Sequence, residues 1–148
     1  MSDPVRLLAL DLGDKRTGLA VGDTITRLVT PVGVVELPMS EGERGHALIA
    51  DLARLAREHE AEALVVGLPL NMDDTEGPRA KLVRAFAGRV GEATGLPIVF
   101  QDERLTSVEA DWQMSRSGLT HKGKKKRRDA LAAAAILRDF LDAPHVWE

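Results

Sequence analysis

The chain has 148 residues, 44% of them hydrophobic and 29% charged, with a formal net charge of −3; this is the size and composition of one globular domain spanning 1–148, not of a disordered chain. Cysteine is absent and the four histidines (His46, His59, His121, His145) lack ligand spacing, which excludes disulfides and thiolate metal sites and argues against zinc. No apolar run approaches the roughly 20 residues of a membrane helix, and MSDPVRLLALD places an acid just past its short apolar run, unlike a signal peptide, so a cytoplasmic protein without a membrane partner is expected.

Residues 5–12, 16–22 and about 28–36 read as three strands joined by short polar turns, and strands so closely linked pair antiparallel. From Gly42 the period changes, with Leu48, Ile49, Leu52, Leu55 and Ala56 at helical spacing up to about Glu60. ALVVG (63–67) is a short apolar strand. The loop LPLNMDDTEG leads to a helix starting near Pro78, where proline suits the first helical position, with Leu82, Val83, Phe86 and Val90 as its core face. A fifth strand is expected over 95–101, a third helix over 107–117 and an alanine-rich fourth over 129–141. Helical crossovers make the later strands parallel, so the reading is an α/β fold: a five-stranded mixed sheet, its first three strands antiparallel, with helices on both faces.

Three carboxylates stand out. Alternation along the first strand puts Val5, Leu7, Ala9 and Asp11 on one face and Leu8, Leu10 and Leu12 on the other, both with the character of buried faces. An ionised Asp11 there costs several kcal/mol unless a positive or hydrogen-bonding group meets it; capping of the turn through Gly13 is the plainer role. QDERLTS (101–107) runs from an apolar strand into Glu103, at the carboxyl end of a parallel strand where α/β proteins place their chemistry. Asp129 reads either as the N-cap of the last helix or, by its alignment with Ala132, Ala133, Ile136 and Phe140, as a carboxylate turned toward the sheet. Three converging acids with no nitrogen or sulfur competitor suit Mg²⁺ or Mn²⁺. Two such ions roughly 4 Å apart would serve in-line attack on a phosphodiester.

The stretches DLGDKRTGLAVGD (11–23), VVGLPLNMDDTEG (65–77), DERLTS (102–107) and DALAAAAIL (129–137) resemble, in order and over most of the chain, the YqgF/RuvX family of Holliday junction resolvases and pre-16S ribosomal RNA nucleases, within the ribonuclease H-like superfamily. The resemblance implies strand order 3-2-1-4-5 and a catalytic, metal-binding triad of Asp11, Glu103 and Asp129. It also implies that Arg16, Asn71 and Arg104 lie near a substrate of branched DNA or precursor rRNA. Asp74 departs from the glycine of many relatives; aspartate tolerates a positive φ if one is needed there.

Lys122, Lys124, Lys125, Lys126, Arg127 and Arg128 place six positive charges in seven residues, leaving 14 basic against 23 acidic residues elsewhere, a net of −9. This island, read as a loop just before Asp129, is expected to bind nucleic-acid phosphates without reading sequence. Aromatics at 3% are too few for a base-stacking platform, so recognition of a duplex or junction through its backbone and shape is expected. GLTHKGKK (118–125) imitates a phosphate loop but has Lys125 where the metal-binding hydroxyl belongs. Trp112 reads as a packing or partner residue. The expected activity is a divalent-metal-dependent endonuclease. Two alternatives are a non-catalytic ribosome- or transcription-associated factor and an ATP-binding actin-like relative, the latter needing a second lobe. Symmetric cutting of a junction would require a homodimer.

Overall fold

The computed structural model describes residues 4–40, 42–103 and 121–142. The first apolar run forms β1 (Arg6–Leu12), and short polar turns return the chain as β2 (Thr17–Asp23) and β3 (Val29–Val35). There follow α1 (Glu43–Glu58), β4 (Ala63–Leu68), α2 (Pro78–Thr94), β5 (Ile98–Asp102) and α3 (His121–Asp142). The strands form one mixed sheet in the order β3-β2-β1-β4-β5. β1–β2 and β2–β3 pair antiparallel, while β4 runs parallel to both β1 and β5. The expected fold class and strand order are those found; the helix expected over 107–117 lies outside the described residues. No helix among the described residues is long and apolar enough to cross a membrane.

Both faces of β1 are buried, as its sequence requires. Leu8, Leu10 and Leu12 pack with Leu64, Val66 and Leu68 of β4 against α1 and α2. Leu7 and Ala9 pack with Ala20, Ala63 and Val65 against Ala133, Ile136, Leu137 and Phe140 of α3. From α1, Leu48, Leu52 and Ala56 are fully buried and Ile49 and Leu55 partly so. In α2, which starts at Pro78 and ends at Gly95 in the left-handed conformation (φ 72°), the buried stripe is Ala80, Val83, Phe86, Ala87 and Val90. Leu82 is 42% exposed, contrary to expectation, because it lies a residue off that stripe and the small Ala80 and Ala87 fill the inner face instead.

The last helix departs most from expectation. It begins at His121, not at residue 129, so the basic run is helical backbone rather than a loop and Asp129 sits in the third turn. Lysine and arginine propagate a helix nearly as well as leucine, so the charge run joins the alanine-rich segment in one rod. An N-cap role for Asp129 is thereby removed. Ala132 is buried with Leu131 and apart from the main face, whereas Ala133, Ile136 and Phe140 point into the sheet as expected.

Candidate active site

β1 carries Asp11 to the carboxyl end of β1 and β4 on the α3 face, the side shared by Leu7 and Ala9. Glycines seat the other two acids beside it. On β2, Gly18 is paired with Asp11, and a Cβ there would collide with the backbone carbonyl of Asp129. The absence of a side chain thus lets α3 lie against the sheet at that level. On β4, a Cβ at Gly67 would meet the carboxylate Oε2 of Glu103 and the end of Ile136. The Glu103 backbone N–H donates to the Leu68 carbonyl at 3.3 Å, holding the residue at the end of the β4–β5 ladder.

All three acids are partly buried. Removal from water is the main force raising the Asp11 carboxyl to about 6, followed by the negative charge of Asp129; a hydrogen bond from Glu103 and the charges of Arg79 and Arg128 oppose it. Glu103 is pushed up to about 8, again first by burial, then by the charge of Asp11 and the hydrogen bond between them, with Arg79 opposing. At neutral pH Glu103 therefore keeps its proton and donates it to an ionised Asp11, two acids sharing one proton.

Asp129 is held differently. Arg16 Nε donates to its Oδ2 at 2.8 Å. Among the described residues, no group of three His, Asp or Glu side chains stands ready to enclose a single ion. The three predicted acids meet as a proton-sharing pair and an ion-paired neighbour. The chemistry of the donors still fits a hard divalent cation: every donor is a carboxylate oxygen, and a cation would offset the burial and mutual repulsion that raise Asp11 and Glu103.

Arg79, on the first turn of α2, is a site residue that no pattern in the sequence marks. Its Nη1 donates to Asp14 Oδ1 at 2.6 Å and its Nη2 to the Leu12 carbonyl at 3.2 Å, pinning the β1–β2 turn to α2. Its charge also acts on both Asp11 and Glu103. The only local signal was an arginine just after the helix-starting Gly77-Pro78 pair. Asn71 lies in the loop after β4 and serves that loop's own geometry: Nδ2 donates to Thr75 Oγ1 at 3.0 Å, and its backbone N–H to the Thr75 carbonyl at 2.9 Å. Asp74 in the same loop adopts φ 70°, a left-handed conformation that aspartate tolerates.

Lys122, Lys124, Lys125, Lys126 and Arg127 belong to the first turns of α3, and Arg128 is exposed. Asp129 lies over Gly18 and Leu137 over Gly22, so α3 and β2 run in the same direction. The eight residues before Asp129 extend about 12 Å at 1.5 Å per residue, past the end of the sheet where the carboxylates sit. Arg104 and Trp112 lie outside the described residues.

Residues 5–143 match the sequence profile of the RuvX family, described as Holliday junction resolvase. A protein of an Anaeromyxobacter species named as a pre-16S rRNA nuclease is 42% identical over 141 residues, covering 95% of this chain and 99% of its own length. Its namesake in Anaeromyxobacter dehalogenans is 45% identical over 93% of this chain and 97% of its own, and that of Streptococcus sanguinis 37% identical over 93% and 98%. Among solved structures, Thermus thermophilus RuvC in complex with a Holliday junction substrate superposes with a TM-score of 0.57 at 17% identity, covering 93% of each chain. The fowlpox virus Holliday junction resolvase gives 0.56 at 10% identity, over 93% of this chain and 98% of its own. At those identities the structural likeness is one of fold.

Proposed function

The chain belongs to the RuvX family, and from that premise we propose that it is a nuclease that hydrolyses phosphodiester bonds in structured nucleic acid, either branched DNA or precursor small-subunit rRNA. The observation that carries this reading is the gathering of Asp11 and Glu103, 92 residues apart in sequence, into a buried, hydrogen-bonded pair, with Asp129 close enough to act on Asp11. Asp11, Glu103 and Asp129 are the residues that would hold Mg²⁺ or Mn²⁺. When bound, such ions supply an activated water and neutralise charge as an in-line attack adds the water oxygen to phosphorus and releases a 3′-hydroxyl, leaving a 5′-phosphate on the other fragment.

The rest is done by the chain. Asp11, fixed by the β1–β2 ladder, is the rigid member of the set, while Glu103 is set against it through the space left at Gly67. Loss of the proton from Glu103 turns the pair into a doubly charged oxygen donor. Arg79 limits the cost of that second charge and keeps the β1–β2 turn in place. The basic first turns of α3 bring the phosphate backbone to the same end of the sheet, with Arg16 and Arg104 as further phosphate contacts and the loop at Asn71 as a wall.

Cleavage of four-way DNA junctions and of a small-subunit rRNA precursor, measured side by side with Mg²⁺ or Mn²⁺ at one salt concentration, tests the reading. Activity on at least one substrate that needs the ion and is lost in Asp11→Asn is expected. Equal activity in wild type and variant refutes the assignment.

A further inference from the structure

The contact between Arg16 and Asp129 sets a problem for any cation entering this site. The side chains are 27% and 29% exposed, against 57% and 73% for the surface pair Arg6–Glu60, so the contact is shielded enough to compete with a ligand. It is also geometrically incomplete. Only Nε reaches the carboxylate, in a single hydrogen bond rather than the two-pronged contact of which arginine is capable. Among the described residues the terminal nitrogens of Arg16 have no hydrogen-bond partner, whereas both of Arg79's are used to hold the β1–β2 turn. One arginine is committed to the scaffold, and the other occupies a carboxylate while its terminal nitrogens meet no partner among the described residues.

We infer that the Arg16–Asp129 ion pair is a latch: Arg16 holds Asp129 away from the cation until a backbone phosphate of the nucleic acid takes the guanidinium, so that ion loading and substrate binding favour one another. The inference rests on the proposed nuclease reading and extends it. Arg16 precedes β2 by one residue and α3 lies over Gly18, so the latch spans the sheet and the helix that carries the basic run. A phosphate drawn in by that run therefore arrives where Arg16 can exchange one anion for another. The released carboxylate then becomes the third oxygen donor beside Asp11 and Glu103. By linkage the coupling is reciprocal, and an ion bound first must raise affinity for the nucleic acid by the same factor.

The test is Mn²⁺ binding, followed by the electron paramagnetic resonance signal of the free ion. It compares wild type, Arg16→Gln, Arg16→Lys and Arg128→Gln, each alone and with a phosphorothioate four-way junction that resists cleavage. Folding of each variant is checked by circular dichroism. Wild type is expected to bind Mn²⁺ more tightly with the junction than without it. Arg16→Gln is expected to bind the ion about threefold to tenfold more tightly on its own, the range over which a half-buried ion pair competes, and to gain less from the junction. Arg128→Gln, which removes an equal charge acting on Asp11 through space, is expected to change the affinity less. Unchanged or weaker binding in folded Arg16→Gln, or an equal gain in Arg128→Gln, overturns the latch. If Arg16→Gln does not fold, Arg16→Lys decides by the same criterion, since a lysine makes a weaker and shorter contact. Wild type that takes up no Mn²⁺ sensitive to Asp11→Asn, with or without the junction, overturns the nuclease reading itself and the latch with it.

Discussion

At the scale of single residues, the carboxylate pair ties stability to pH with a defined sign. Asp11 is raised from 3.8 to about 6 and Glu103 from 4.5 to about 8, so from pH 3.8 up to about pH 8 the folded chain binds more protons than the unfolded one. Stability contributed by this pair is complete below that window and is lost as pH rises through it. Asp23, Asp73 and Glu76 shift downward, and their linkage acts at lower pH. The metal-free protein is therefore expected to melt roughly 3–10 °C lower at pH 8.5 than at pH 5. Glu103→Gln, which keeps a donor toward Asp11 but has no proton to lose, should abolish most of that fall; an equal fall in both proteins contradicts the shared proton. The two seating glycines separate stability from activity. Gly18→Ala drives a Cβ into the backbone of α3, which cannot yield without moving the helix, and should cost about 1–3 kcal/mol. Gly67→Ala meets the movable ends of Glu103 and Ile136, so it should cost less stability and yet displace Glu103 and depress cleavage. Melting curves and cleavage rates of the two variants check this, and the reverse ranking would contradict it.

At the scale of elements, α3 is where sequence and structure part. Its alanine-rich half was legible because small residues at helical spacing can only bury against a flat partner. The basic half was not, because a run of like charge has no amphipathic period to mark it, and its continuation of the helix depends on propensity rather than pattern. The basic residues therefore belong to helical backbone that runs past the end of the sheet, not to a loop. Changing Lys122, Lys124, Lys125, Lys126, Arg127 and Arg128 to glutamine preserves helix propensity while removing the charge. The slope of log affinity against log salt for duplex or junction DNA should then flatten by up to about 5, near 0.9 for each phosphate no longer neutralised. An unchanged slope would mean that the rod does not touch the backbone. The five described strands and the two central helices were legible within a few residues, since β1 and β4 are apolar on both faces and α1 repeats its buried leucines cleanly.

For the whole molecule, the sheet order follows from connection rules and from the family likeness, and with it the end of the sheet at which chemistry collects. Asp11 and Glu103 were legible as charges at the ends of apolar strands. Their sharing of a proton was not, nor was the engagement of Asp129 by Arg16, because both depend on side-chain distances set by Gly18 and Gly67 across three elements. The role of Arg79 is illegible in the sequence for the same reason: its partners, Asp14 and the Leu12 carbonyl, lie 65 and 67 residues away. On the proposed function, one end of the sheet trades a proton and an arginine for divalent cations. Anomalous diffraction from crystals grown with Mn²⁺ and nucleic acid tests it most directly. The account predicts a manganese peak ligated by Asp11 and Glu103, with Asp129 turned from Arg16 toward it; Asp11 and Glu103 still hydrogen-bonded to each other, with no peak between them and Asp129, would contradict it.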